Sequence, residues 1–136
     1  AWIGVRGSLA WEAVLLSTVV ALWAASFDIL YHAQDFDFYT NSGLHSVARK
    51  FGVRSAFRIA RTLDVLAIVC LAGLGVGLSL AWPHYIGCAV AAVVLMYKHS
   101  MVSPDDLSRM GVAFFRINAY VSLTVFVATM VAVFVF

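Results

Sequence analysis

Three stretches of this chain, residues 9–31, 63–82 and 113–136, are almost uninterrupted apolar runs, and a shorter one, 85–97, lies between the last two. A hydrocarbon layer about 30 Å thick is crossed by about 20 apolar residues in an α-helix. Lipid offers no partner to an unpaired backbone group, so continuous runs of this length are read as helices that satisfy their own N–H and C=O groups. Composition agrees: 63% of residues are hydrophobic and 12% charged, where a soluble domain has about 45–50% apolar residues. The prediction is an all-α, polytopic integral membrane protein, a bundle of four transmembrane helices forming one domain over residues 1–136.

Basic residues orient the bundle. Of nine Lys and Arg, five (Arg49, Lys50, Arg54, Arg58 and Arg61) lie between the first and second windows, and Lys98, Arg109 and Arg116 lie in or beside the connection before the last. Antiparallel helices put the two long connections, 32–62 and 98–112, on one side, which the positive-inside rule makes cytoplasmic in a bacterial-type inner membrane. The formal charge of +2 belongs to this asymmetry and implies no nucleic acid. Trp82, Pro83 and His84 are predicted as a tight turn on the other side, with Pro83 ending the second helix. Cys70 and Cys88 fall inside apolar windows, where a thiol behaves as a small hydrophobe and not as part of a disulfide framework. The first window has neither the basic flank nor the cleavage site of a secretory signal. Residues 2–9 read as the tail of a turn between helices, and a start at Ala1 predicts a portion of a longer polypeptide.

Ionisable groups crowd the end of the first window, FDILYHAQDFDFYTNSGLHS over residues 27–46. At about 100° per residue, Asp28, His32, Asp35 and Tyr39 share a stripe about 60° wide if the helix continues through them, while Asp37 points away. An aspartate facing hydrocarbon costs about 2.5–3.5 kcal/mol or more, so the ladder is expected to face a bundle interior or a wet cavity. Two readings stay open: a divalent-cation site, since Mg²⁺ takes carboxylate and phosphate oxygens, or a solvated polar helix end.

The residues themselves carry a resemblance. FDILYHAQDFDFYTNSGLHSVARKFG and, later, YKHSMVSPDDLSRMGVAFFRINAYVS are similar to two segments of the UbiA superfamily of intramembrane prenyltransferases, closest to its 4-hydroxybenzoate polyprenyltransferase branch. The likeness covers essentially the whole chain but only the C-terminal part of the family's all-helical fold. It implies Mg²⁺-dependent transfer of a polyprenyl group from its diphosphate to an aromatic acceptor, of the kind used in quinone biosynthesis. By resemblance, Asp35 is the first aspartate of a DxxxD metal motif and, with Asp28, a catalytic candidate. Tyr31, His45, Ser46, Lys50 and Arg54 become candidates for binding substrate. The implied partners are a polyprenyl diphosphate or other isoprenoid lipid, membrane lipids and subunits of a larger membrane complex.

Departures from the pattern limit this expectation. Tyr39 stands where the motif has its second aspartate, and a neutral phenol is a poor magnesium ligand. Thr40 replaces a usual basic residue, Ala48 a proline and Asp64 a histidine, and the family's first aspartate-rich motif is absent. The chain alone is therefore expected to be impaired or inactive. The alternative is a non-catalytic structural, lipid-, quinone- or pigment-binding subunit of a bioenergetic membrane complex.

Other features have local readings. Arg54, Arg58 and Arg61 form a helical stripe that either clamps a diphosphate or anchors at lipid headgroups. Ser103-Pro104-Asp105-Asp106 is predicted to start a short helix with Ser103 as N-cap. Arg116 and Asn118 are expected to need partners or to snorkel. Trp2, Trp11, Trp23 and Trp82 are read mostly as interfacial anchors. Gly73, Gly75 and Gly77 are read as permitting close helix approach.

Overall fold

The structure, a computed structural model, describes residues 2–135, with the backbone alone at positions 2 and 112–114. The predicted end of the last window at residue 136 and the anchoring role of the Trp2 side chain lie outside what is described. Helices follow one another as α1 (Trp2–Arg6), α2 (Trp11–Gln34), α3 (Phe36–Asn41), α4 (Val47–Phe51), α5 (Val53–Gly77), α6 (Trp82–Met101), α7 (Met110–Val112) and α8 (Asn118–Phe134), with a π-helical stretch Ala113–Ile117 leading into α8. Among the described residues there is no β-strand.

Three helices are long and apolar enough to cross a membrane: α2, α5 and the segment Phe115–Phe134. The fourth window becomes α6, a 20-residue helix whose His84, Lys98 and His99 interrupt its apolar character. It is longer than the run 85–97, because polar residues at both ends join the helix once their side chains find partners inside the bundle.

Helix α2 packs on α5, α5 on α6, and α6 on α8. The α5 span is 33% buried against 17% for each of the other two, so α5 is the helix about which the others arrange. It also begins ten residues before the predicted window. Ala56, Phe57 and Ala60 are buried against Leu30, Ala33 and Ala48, and this apolar face winds the basic stretch 54–61 into the helix while its arginines point outward. Deeper, Val19 meets Ala67, Leu71 and Cys88, and Ala91 and Leu95 meet Val121.

The turn between α5 and α6 corrects the role given to Pro83. Helix α5 ends at Gly77: Ser79 adopts φ 51°, Leu80 N donates to Gly75 O at 2.8 Å and Ser79 N to Val76 O at 3.1 Å. That pairing closes a helix through a left-handed residue. Pro83 instead sits in the first turn of α6, where its missing N–H has no intrahelical partner to lose. The predicted helix at Ser103 is likewise a turn. Ser103 and Asp106 exchange backbone hydrogen bonds of 3.1 Å, Ser103 Oγ accepts from Asp106 N at 3.1 Å, and the next helix starts only at Met110. Hydrogen bonds from Ser108 hold the exposed Asp106 carboxyl below its usual range.

Close approach falls where two of the three glycines predicted it, and at a fourth. A Cβ on Gly75 would stand 2.5 Å from the His84 ring, one on Gly77 would overlap the Trp11 indole, and one on Gly87 would overlap Ala128 Cβ, whereas Gly73 has open space. Trp11 thus packs on α5, and Trp23 lies among the partly buried residues beside Val19 and Leu71 rather than at an interface. Gly87→Ala is expected to lower stability by about 1–3 kcal/mol through overpacking, while Gly73→Ala leaves it unchanged or slightly raised. Thermal unfolding of the two variants in detergent checks this; equal melting temperatures would contradict the α6–α8 contact.

Candidate functional site

The polar stripe of the first window survives, with a joint in it. Helix α2 ends at Gln34, and Asp35, at φ −97° and ψ 29°, is both its C-cap and the N-cap of α3. Tyr39 N still donates to Asp35 O at 3.0 Å, so the helical register carries across the joint. His32 Nδ1 lies 3.8 Å from Asp28 Oδ2, and the His32 and Tyr39 rings meet at a tilt of 50° with centroids 4.9 Å apart. Asp28, His32 and Tyr39 therefore form one ladder on the α2 face turned away from Ser26, Leu30 and Ala33, the residues buried against the bundle. Asp35 and Asp37 are exposed. Tyr31 lies on the same helix, 41% exposed.

After α3 the backbone turns twice through left-handed glycines, Gly43 at φ 70° and Gly52 at φ 85°, a region that suits a residue with no Cβ. Between them Ser46 caps α4, its hydroxyl accepting from Arg49 N at 3.1 Å, and Arg49 Nη1 donates to Leu44 O at 2.6 Å. His45, Ser46, Val47, Arg49, Lys50 and Phe51 line an open recess of about 600 Å³. Lys50 Nζ sits 5.2 Å from the Phe51 ring centroid.

Of the predicted site residues, the structure thus brings His45, Ser46 and Lys50 together and leaves Asp28 and Asp35 outside their recess. Arg54 turns elsewhere, to Asp105 at 3.8 Å, with both side chains about four-fifths exposed; screened by solvent, such a pair contributes about 0–1 kcal/mol. Among the described residues no three His, Cys, Asp or Glu side chains gather as metal ligands. Magnesium bound through substrate phosphates needs only one or two protein carboxylates. Asp35 thus suits a site shared with groups beyond those present, not one complete within these residues.

The most buried polar chemistry lies where sequence reasoning did not look. Asp64 on α5 is 3% exposed and Lys98 on α6 is 1% exposed. Lys98 Nζ donates to Asp64 Oδ2 at 2.6 Å, and His99 Nε2 lies 2.7 Å from the same oxygen. An ionised carboxylate only accepts, so His99 carries its proton on Nε2. The buried Ser26 hydroxyl of α2 faces this carboxylate without closing a hydrogen bond of good geometry. At the other end of α6, His84 Nε2 donates to Leu71 O at 3.1 Å, which leaves Nδ1 to accept from the Thr129 hydroxyl at 3.0 Å. Asn118 is buried at the start of α8 with no partner for Oδ1 among the described residues, and Arg116 is exposed. The available signal was one aspartate and one lysine at the edges of apolar windows, 34 residues apart.

The sequence profile described as the UbiA prenyltransferase family matches residues 1–120. This chain belongs to the UbiA prenyltransferase family. Curated relatives include a protein named 4-hydroxybenzoate octaprenyltransferase from Methylobacillus flagellatus, 28% identical over 130 residues, covering 96% of this chain and 43% of that protein. Proteins of the same name from Cupriavidus pinatubonensis and Cupriavidus necator are 34% and 32% identical, with 91% and 88% of this chain and 42% and 40% of theirs covered. The chain thus spans about two fifths of the length of these relatives. No solved structure gives a significant match. As a UbiA protein with three membrane-crossing helices, it is an integral membrane protein.

Losing one member of a buried ion pair strands the other, at a cost of about 3–5 kcal/mol. Lys98→Met is expected to show a loss of that size, and Asp64→Leu combined with Lys98→Met to recover most of it. Unfolding of both variants checks the coupling. Losses that simply add would contradict the pairing of Asp64 with Lys98.

Proposed function

We propose that this chain forms the later part of a UbiA-type membrane enzyme that moves a polyprenyl group from its diphosphate to an aromatic acceptor, and that Tyr39 leaves its metal site weakened. The observation that carries this reading is the likeness to three relatives named 4-hydroxybenzoate octaprenyltransferase. The Asp28–His32–Tyr39 ladder, which opens away from the bundle's packed face and continues through Asp35 into the cap, supports it.

In this reading Asp35 would hold Mg²⁺ with one carboxylate, and the metal would supply positive charge against a diphosphate leaving group. Asp28 and Tyr31, exposed on α2, would face the bound isoprenoid. His45, Ser46, Lys50 and Arg54 sit in or beside the cap, which faces the cytoplasm of a bacterial-type inner membrane together with connections 32–62 and 98–112. Lys50 and Arg54 supply positive charge for a diphosphate. Ser46 holds the cap's shape, because its hydroxyl is already committed to Arg49 N.

A second reading has its own support: Tyr39, its ring tilted against His32, stands in the position of a metal carboxylate. A chain built this way serves as a non-catalytic subunit of a larger membrane complex, holding lipid, quinone or pigment. Prenyl transfer to 4-hydroxybenzoate, assayed with magnesium on the full natural chain and on its Tyr39→Asp variant, separates the two. Under the first reading the natural chain turns over slowly and Tyr39→Asp raises the rate at least about tenfold, the effect of about 1.4 kcal/mol regained in the transition state. No turnover by either protein supports the subunit reading and overturns the first.

A further inference from the structure

A groove of about 430 Å³ runs between α5 and α6, separate from the cap recess and from the Asp28 ladder. Val65, Ile68 and Val69 of α5 and Ala92, Leu95 and Met96 of α6 form its walls. Its other end is polar, made by Arg61, Asp64, His99 and Ser100. A cleft apolar along its length and polar at one end has the shape of an amphiphile's site.

Position and charge say which amphiphile. Arg61 lies two turns into α5, about 12 Å from its start, and Ser100 lies one residue from the end of α6. The polar end is thus at the basic side of the bundle, near lipid headgroups, and the apolar walls run inward toward the bilayer centre. Lys98 satisfies Asp64 at 2.6 Å, so these two charges cancel. Arg61 has no carboxylate partner among the described residues, so its charge is left at the groove mouth. Beside it Asp64 Oδ1 and, with the His99 proton on Nε2, His99 Nδ1 are acceptors without partners among the described residues, and the Ser100 hydroxyl already donates to Tyr97 O at 2.8 Å, so among the lining residues Arg61 supplies the charge and the donors for an anion.

We propose that the α5–α6 groove binds one anionic phospholipid of the surrounding bilayer, its phosphate against Arg61 and an acyl chain along Val65, Val69 and Met96. A zwitterionic lipid offers the same chains, but its own cation offsets the phosphate. A single fixed guanidinium at headgroup depth selects for net negative charge. The Asp64–Lys98 pair acts as a positioning element, holding α5 and α6 at the separation that leaves the groove open. The site does not depend on whether the chain catalyses prenyl transfer.

The test uses the full natural chain in detergent, with melting temperature read as lipid is added. Phosphatidylglycerol is expected to raise it by about 3 °C or more, and phosphatidylcholine or inorganic phosphate by less than a third as much. Arg61→Gln, which removes the charge, and Met96→Trp, which fills the apolar walls, should each abolish the phosphatidylglycerol shift. Arg109→Gln, at an exposed residue outside the groove lining, should retain it. An equal response to phosphatidylcholine, a full response to inorganic phosphate, or a phosphatidylglycerol shift undiminished in both Arg61→Gln and Met96→Trp would overturn the proposal. So would no shift at all, the result expected if another part of the natural chain covers the groove. Native mass spectrometry of the same samples guards against misfolded variants: one phosphatidylglycerol should stay bound to the unsubstituted chain and to Arg109→Gln.

Discussion

A carboxylate and an ammonium meet at 2.6 Å between α5 and α6, both almost fully withdrawn from the surface. Neither charge could sit there alone, because an uncompensated ion in a low-dielectric interior costs several kcal/mol. The pair therefore imposes a rule on the bundle: wherever Asp64 goes, Lys98 must follow. Apolar side chains of two membrane helices gain little from choosing one another over lipid tails. Direction has to come from polar contacts and close steric fits. Asp64–Lys98–His99 supplies it near one end of α6, and His84 with Leu71 O and Thr129 near the other. Gly75 and Gly87 let the backbones approach at the His84 ring and at Ala128. Helix α6 is thus held at both ends by hydrogen bonds and, a turn beyond His84, by the close approach to α8 that Gly87 permits.

With α6 placed, the rest of the architecture becomes a question of which faces remain. Helix α2 spends Ser26, Leu30 and Ala33 on the bundle and turns Asp28 and His32 the opposite way. On that exposed face an aspartate set against hydrocarbon would cost about 2.5–3.5 kcal/mol. The cap between α2 and α5 repeats the logic on a smaller scale. Its left-handed glycines, the Ser46 cap and the Arg49–Leu44 bond set a short helix across the bundle end, and Ala48, fully buried, anchors it. A proline usual at that position in the resembling pattern would serve the same contact by bulk; alanine serves it by close approach.

The membrane class and the three long spans were legible because hydrophobic length is a property of contiguous residues. So was the ladder, since Asp28, His32 and Tyr39 share a face by spacing alone. The start of α5 was hidden because its first turns carry arginines, and their charge outweighed the quieter signal of Ala56, Phe57 and Ala60 recurring on one face. Pro83 was misassigned because proline stops a helix it follows and suits the first turn of the one it begins, and Trp-Pro reads the same either way. Ser103 had the composition of a helix cap, but its hydroxyl closes a turn on Asp106 N before any helix begins. The Asp64–Lys98 pair was out of reach: nothing local in either segment reports a partner 34 residues away.

Tyr39 and Asp64, two departures from the resembling pattern, bear on function in opposite ways. Tyr39, visible at once as a lost carboxylate, weakens the case for chemistry at the ladder, although its ring still lies against His32 at 4.9 Å. Asp64, read at first only as a departure from a usual histidine, turns out to be one member of a buried ion pair. Its carboxylate on α5 is met by Lys98 and His99 of α6. Losing either member would strand the other in a low-dielectric interior, so the two charges stand or fall together. The packing of α5 on α6 is therefore fixed by a contact that lies apart from Asp35 and Tyr39, and it holds whatever the state of the metal motif.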